Sequence, residues 1–341
     1  MIDDARVLGG GQLFALRLSA AVRARGAYAP VIAAAAGSRF AELARAEGHP
    51  VADLPLPAPA RPVAALRTLA RLRAVVAAYP GAVVLANSLR AALYVELARV
   101  ARHHPAVTVM HEQDSARRPA ALRLLRRNRA LLVVGSTAAT AYAGALDGVS
   151  ILKINNFLDE AVLALTPSRA VVPARPPRLA VVGRLIPSKG VVELVTELAA
   201  IRQAWSGLVI AGDSQDAAYA DSVREAVRSR GLGDAVELRG HVDDVGRLLE
   251  EVDVLVVPSV GNEGQPTVVL EALAHGRPVV VRNNCWSPDY AGLPVTPYAS
   301  PGDLEQALST RPLDVDLRHV LTLRFGAGQV LEALEAALAA R

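Results

Sequence analysis

Cysteine is almost missing from this chain: Cys285 is the single one in 341 residues. An intrachain disulfide, a CxxC redox pair and a cysteine-based zinc site are therefore excluded, and a reducing compartment fits. Long hydrophobic runs are missing as well. No apolar stretch approaches the roughly 18 residues that a membrane-crossing helix needs. The candidates, such as 82–86 and 131–134, are short and bounded by charges, Gly or Pro, as buried strands are. The chain opens Met1-Ile2-Asp3-Asp4, with two acids where a secretory signal carries basic residues. A cytoplasmic location is expected. Lysine is scarce too: of 37 basic residues only Lys153 and Lys189 are lysine, so each is worth inspecting.

Hydrophobic residues make up 52% and charged residues 21%, which excludes a disordered chain. The length predicts about two domains, each with its own core. A formal net charge of +4 is too small an excess to point to nucleic acid.

Short β-like runs alternate with helical patterns. The runs are 30–36, 82–86, 107–110, 131–134, 151–154, 178–182, 208–211, 235–238, 252–257 and 278–282. Buried runs alternating with helices predict an α/β chain with parallel sheets covered on both faces. Proline clusters at Thr166-Pro167-Ser168 and at Pro173-Ala174-Arg175-Pro176-Pro177, where extended geometry is favoured. The expected division is a domain over 1–167, a linker at 168–177, a domain over 178–327, and a C-terminal helix at 328–341 able to pack back on the first domain. The beginning departs from this pattern. A doubly wound domain opens with a buried strand before its first glycine turn, yet Gly9-Gly10-Gly11 follows only eight residues, including Asp3, Asp4 and Arg6. The first strand is expected to be missing.

Two segments carry chemistry. In Leu179-Ala180-Val181-Val182-Gly183-Arg184-Leu185-Ile186-Pro187-Ser188-Lys189-Gly190 an apolar strand ends at Gly183 and a helix follows Gly190. Free N–H groups and the macrodipole make a helix start attractive to anions. Arg184 offers a planar fork there and Lys189 a point charge, which together suit a diphosphate. Taken alone, the pair reads equally well as two solvated surface cations; the scarcity of lysine favours the first reading. The second segment is Gly261-Asn262-Glu263-Gly264-Gln265-Pro266-Thr267-Val268-Val269-Leu270-Glu271-Ala272. Pro266 suits the first helical position. Glu263 and Gly264 then precede the helix, the open N–H groups near Gln265, Pro266 and Thr267 face a sugar or phosphate, and Glu271 lies inside an otherwise apolar helix. Its carboxylate can accept from two adjacent ribose hydroxyls.

Together these residues resemble glycosyltransferase family 4, the retaining group 1 enzymes of the GT-B architecture. The likeness rests on Gly183-Arg184, Lys189-Gly190, the glutamate–seven–glutamate spacing of Glu263 and Glu271, and the run Glu271-Ala272-Leu273-Ala274-His275-Gly276-Arg277-Pro278. It is strong over about 178–281 and fainter at Gly9-Gly10-Gly11-Gln12, His111-Glu112 and Ile154-Asn155-Asn156-Phe157. The resemblance implies two Rossmann-like domains facing a central cleft and transfer of a hexose from a nucleotide diphosphate sugar, a UDP-hexose first, to an acceptor hydroxyl. No metal or other cofactor is expected. It implies Arg184 and Lys189 on the diphosphate, Glu271 on the ribose, and Glu263 on the donor sugar with amides of Gly264, Gln265, Pro266 and Thr267 around it. Gly183, Gly10 and Gly11 allow close backbone approach, and His111 lies near the transferred sugar unless it is an ordinary loop histidine. His241 falls where the family brings backbone near the base.

Where the family has a glycine pair after the following strand, this chain reads Arg282-Asn283-Asn284-Cys285-Trp286-Ser287-Pro288-Asp289-Tyr290, which leaves donor preference open. A degenerate, non-catalytic nucleotide-sugar-binding protein and a nucleotide-sugar epimerase or pseudo-glycosyltransferase are the alternatives. Arg117, Arg118, Arg123, Arg126, Arg127 and Arg129, with Leu122, Leu124 and Leu125 between them, make a basic amphipathic segment. It suits the inner face of an anionic membrane, or is simply a solvated helix face. Asp314-Val315-Asp316 spells DxD but lies far from the phosphate features, and is read as chance. The acceptor is a small molecule, lipid carrier or polysaccharide.

Overall fold

The structure is a computed structural model and describes residues 1–4, 8–26, 28–58, 61–111, 113–128, 130–214, 216–261 and 263–339. The chain forms two compact units: Met1–Phe157 with Ala327–Arg341, and Leu158–Gly326.

The first unit alternates helices α1 (Gly10–Ala24), α2 (Arg39–Ala46), α3 (Pro62–Ala77), α4 (Leu89–Leu97), α5 (Pro119–Leu125) and α6 (Ser136–Ala143) with strands β1 (Ile32–Ala34), β2 (Val51–Asp53), β3 (Val84–Ala86), β4 (Ala106–Met110), β5 (Ala130–Val134) and β6 (Ser150–Ile154). All pairings are parallel, β1 with β2 and β3-β4-β5-β6 in sequence. The position of the first strand is not empty, contrary to the expectation. Ile2 bridges Ala33 of β1 on one side and Ala86 of β3 on the other. Its N–H donates to Leu85 and its carbonyl accepts from Asn87, while the Asp3 N–H donates to Ala33. Three residues suffice because both flanking strands supply partners, and Ile2 itself is buried. The chain leaves this central position, turns through α1 to β1 and β2 on one side, then returns to β3 on the other. The order therefore reverses at Ile2, where sites of doubly wound sheets form.

The second unit starts with α7 (Glu160–Leu165) and builds the sheet from β7 (Arg178–Val182), β8 (Gly207–Ala211), β9 (Val236–Gly240), β10 (Val254–Val257), β11 (Val279–Arg282) and β12 (Val295–Tyr298). The order is β12-β11-β10-β7-β8-β9, and every pairing is parallel. Helices α8 (Val191–Ala200), α9 (Ala217–Ser229), α10 (Val245–Glu250), α11 (Thr267–Ala274), α12 (Pro301–Ser309) and α13 (Leu317–Phe325) connect or flank the strands. Two apolar clusters cover the two faces, one around Leu255, Leu270 and Phe325, the other around Leu179, Leu194 and Trp205. Here the reversal falls between β7 and β10.

Residues 168–177 are no free linker. The Val171 N–H donates to Gly276, the Ala174 N–H donates to the Asp253 carboxylate, and Arg318 donates to the carbonyl of the fully buried Thr166. Proline does fix extended geometry there, but the open N–H groups find partners on the second unit. The compact units accordingly divide at 157/158 and 326/327 rather than at 167 and 178. The last helix, α14 (Ala327–Ala339), buries Val330, Leu331 and Leu334 against Phe14, Leu132 and Ile154 of the first unit.

Candidate functional site

In the second unit the chemistry-bearing loops sit at the carboxyl ends of the central strands. Gly183 and Arg184 leave β7, and Gly212 leaves β8. The Gly183 N–H donates to Ala211, and the Leu185 N–H to Asp213. Gly212 has φ +149°, and a Cβ there would stand 1.8 Å from the Gly183 carbonyl oxygen. The turn after β7 is thus locked against its neighbour through backbone that only glycine permits. Residues Pro187–Lys189 form a short 3₁₀ turn, and Gly190, at φ +65°, starts α8.

The loop after β10 is fastened to this turn. The Ser188 carbonyl accepts from both Val260 and Gly261, each at 2.9 Å. The Lys189 Nζ then donates to Glu263 Oε1 at 2.6 Å, with both side chains about three-quarters buried. The two sequence motifs, read as separate contacts, are therefore one ion pair. Arg184 is exposed and makes no ion pair among the described residues. The structure caps α11 with Pro266 and begins the helix at Thr267. The Pro266 side chain cannot cap this end and the Val269 N–H turns back to the Pro266 carbonyl, which leaves the N–H groups of Thr267 and Val268 for an acceptor. Gly264, Pro266 and Thr267 are partly exposed and Gln265 is buried. Glu271 is partly exposed, one turn into α11. Asn262 lies outside the described residues.

The segment that departs from the family's glycine pair holds this loop from the β11 side. The Arg282 Nε donates to the Pro258 carbonyl, the Cys285 thiol to that of Ser259 and the Asn284 amide to that of Gly261. Arg282 is itself held by both oxygens of Glu197 at 2.9 Å. Burial pushes the Cys285 thiol up to about 12, so it stays protonated and is no nucleophile.

The first unit has its own cluster, assembled from three adjacent strand ends. Asp3 follows Ile2, Asn87 follows β3 and His111 follows β4. Asp3 is buried and accepts from the Gln12 amide at 3.0 and 3.1 Å and from the Asn87 amide at 2.7 Å. The same Asn87 amide donates to the Gly11 carbonyl at 2.9 Å, and Asn87 Oδ1 pairs with His111 Nε2 at 2.9 Å. Phe14 packs edge-on against the imidazole, 5.0 Å between ring centres. Burial lowers the His111 pKa to about 4, so the ring is neutral at physiological pH. Gly11 faces that ring: a Cβ would stand 3.3 Å from His111 Cδ2. Gly10 opens α1 and is exposed. Sequence reasoning found Gly10, Gly11 and His111 but missed Asp3, Gln12 and Asn87 as partners. The available signal was a polar residue directly after a buried strand. Glu112 lies outside the described residues.

Other expectations find structural roles. Asp316 caps α13 by accepting from the His319 N–H, and Asp314 pairs with Arg169 at the surface, which accounts for the DxD string. Among the described residues no group of three His, Cys, Asp or Glu is placed to hold a metal ion. His241 is exposed between Asp213 and Asp243. Arg117, Arg118, Arg123, Arg126 and Arg127 are exposed, with Arg127 paired to Glu96, and Arg129 is outside the described residues. No helix among the described residues is long and apolar enough to cross a membrane.

Comparison with known proteins follows the same division. The family described as Glycosyl transferases group 1 matches residues 176–310. No curated protein sequence matches. Among solved structures, HepE of Anabaena, in complex with UDP and glucose, aligns with a TM-score of 0.82 at 17% identity, over 100% of this chain and 98% of that one. Sucrose-phosphate synthase of Thermosynechococcus elongatus gives 0.77 at 18%, over 100% and 98%. A glycosyltransferase of Rickettsia africae gives 0.78 at 16%, over 99% and 97%. The chain has the GT-B fold, and its residues 176–310 match the group 1 glycosyltransferase family.

Proposed function

We propose that the protein is a retaining, metal-independent glycosyltransferase that moves a hexose from a UDP-sugar to an acceptor hydroxyl. The observation that carries this reading is the coupled pair of loops at the sheet reversal of the second unit. Lys189 and Glu263 meet there, Arg184 stands exposed on the β7 turn, and α11 presents an uncapped start. The likeness to HepE, crystallised with UDP and with UDP-glucose, supports a uridine nucleotide as donor.

Each role follows from charge and geometry. Arg184 and Lys189 neutralise the diphosphate as the bond to the sugar breaks, and electrostatic stabilisation of that kind is commonly the largest catalytic contribution. Two cations at the leaving group do the work that a divalent metal does in other transferases. Glu263 accepts from donor-sugar hydroxyls and Glu271 from the ribose. Gly264, Gln265, Pro266 and Thr267 bring backbone close to the sugar. Gly10, Gly11 and His111 serve the acceptor side. In the transfer, the bond from sugar C1 to the phosphate oxygen breaks while the bond from C1 to the acceptor oxygen forms on the same face. The acceptor proton passes to the departing phosphate oxygen, so no side chain acts as general base.

The exposed Arg117, Arg118, Arg123, Arg126 and Arg127 suit anionic lipid headgroups, which supports peripheral contact with a membrane surface. The decisive experiment is calorimetric titration with UDP, GDP and TDP in EDTA. Tight binding of UDP that is lost in Lys189→Ala and in Glu271→Ala is expected. Equal binding by the wild type and both variants would refute the site.

A further inference from the structure

The Asp3–Asn87–His111 chain has a fixed direction. An ionised carboxylate and a peptide carbonyl are acceptors only. Asn87 Nδ2 lies against one of each, Asp3 Oδ2 at 2.7 Å and the Gly11 carbonyl at 2.9 Å. Both amide hydrogens are thereby committed. Rotating the amide by half a turn would set its carbonyl oxygen against those two acceptors, with no proton between them. Asp3 cannot move away, because Gln12 Nε2 reaches both of its oxygens and its own N–H is in the sheet. Asn87 Oδ1 is consequently the face turned to His111 Nε2, at 2.9 Å. An oxygen acceptor there requires the proton on Nε2. A neutral imidazole carries one proton, so Nδ1 is left with its lone pair. Among the described residues nothing donates to Nδ1.

We propose that Asp3 and Asn87 are positioning residues that hold His111 as its Nε2–H tautomer, so that Nδ1 is offered as a hydrogen-bond acceptor to the hydroxyl that receives the sugar. The role toward a hydroxyl rests on the glycosyl-transfer reading; the tautomer lock does not. The lock also gives Gly11 a second purpose. Its carbonyl occupies one amide hydrogen of Asn87, and its missing Cβ leaves room for the ring that Asn87 orients.

The test reads the tautomer directly. The full chain is labelled with ¹⁵N-histidine, and His111 is assigned by its loss in His111→Gln. At neutral pH the wild type is expected to show the Nε2–H pattern. Asp3→Asn turns an obligate acceptor into a group that also donates. Only the Gly11 carbonyl then holds the Asn87 amide in its orientation, and the His111 signals are expected to move toward the Nδ1–H form. Asn87→Leu removes the acceptor altogether and is expected to give a tautomer mixture. Circular dichroism identifies any variant that fails to fold, and the remaining ones decide. Release of UDP from UDP-glucose is expected to fall roughly 10–100-fold in Asp3→Asn, with the KM for UDP-glucose little changed, as for other groups that orient a working histidine. A wild-type Nε2–H pattern kept in both single variants overturns the lock. Tautomer shifts as described in a chain that releases no UDP would leave the lock standing and remove the transfer reading instead.

Discussion

Replacing Glu263 with glutamine should strengthen the binding of UDP while ending turnover. The Glu263 carboxylate sits 2.6 Å from Lys189 Nζ. A phosphate oxygen taking its own hydrogen bond from that ammonium would lie within about 6 Å of the carboxylate, since each such bond spans roughly 2.8 Å. Two like charges about 6 Å apart repel by about 1.5–3 kcal/mol at an effective dielectric of roughly 20–40. Removing the negative charge therefore tightens UDP about tenfold or more, and partial burial of the pair leaves much of the effect at high salt. The folded state loses little, because the ion pair it gives up is still partly exposed and glutamine keeps a hydrogen-bond acceptor for Lys189, so the loss is about 1 kcal/mol. UDP-glucose gains less than UDP, since the glutamine accepts more weakly from the sugar hydroxyls. Calorimetry of both ligands at low and high salt separates these effects. UDP bound equally or more weakly by Glu263→Gln would show that the diphosphate does not sit on Lys189, and the reasoning about the whole site would fall with it.

Gly190→Ala is expected to destabilise the second unit by about 2 kcal/mol or more, from left-handed backbone strain plus a contact that cannot be relieved. The added Cβ would stand 2.2 Å from the Pro258 carbonyl oxygen. Gly231→Ala has nearly the same φ, +64°, with nothing within 4 Å, and is expected to cost only the backbone strain. Thermal unfolding of the two variants checks this, and equal losses would refute the close-approach argument. The pH dependence of stability follows from His111, whose folded pKa of about 4 lies below the unfolded value of 6.5. Between those values the unfolded chain binds more protons, so stability falls as pH drops from about 6.5 to 4, by up to about 3 kcal/mol. His49 is also lowered by burial and pushes in the same direction. The measurement is thus the difference between the wild type and His111→Gln in urea unfolding across that range, and a difference independent of pH would contradict it.

The central strands were legible because burial on both faces writes itself as an unbroken apolar run, as in Leu131-Leu132-Val133-Val134. Strands at the margins were not. β2 is only half-buried along its length, and β12 carries Pro297, which an edge position tolerates and a sequence pattern reads as a break. Helix α6, built from Ser136-Thr137-Ala138-Ala139-Thr140-Ala141-Tyr142-Ala143, has too little contrast between its faces to show a period. Ile2 escaped notice for another reason: with two partners, a single bridging residue fills a strand position that normally takes a longer run. In the site, Lys189, Glu263 and Glu271 stood out through spacing and through the scarcity of lysine. Asp3 and Asn87 had no such signal. They are 84 residues apart, and only the parallel register of adjacent strands brings them to 2.7 Å.

The departure from the family's glycine pair bears on how the second unit's loop is held. A glycine pair after β11 would offer the neighbouring loop no side chains. Here Arg282, Asn284 and Cys285 each donate to a different carbonyl of Pro258, Gly261 and Ser259. Arg282 is fixed in turn by Glu197 and lies over the Tyr298 ring. Ser188 ties the same loop from the other side. A loop held by five hydrogen bonds before any ligand arrives loses little freedom on binding, and the ordering that binding would otherwise require is already complete. Glu263 is thereby set opposite Lys189 in advance, so a donor meets the charge pair already formed. Mobility given up after β11 is matched by a carboxylate that stands in place in advance, and this arrangement follows from the residues at 282–285 rather than from the motif the family shares.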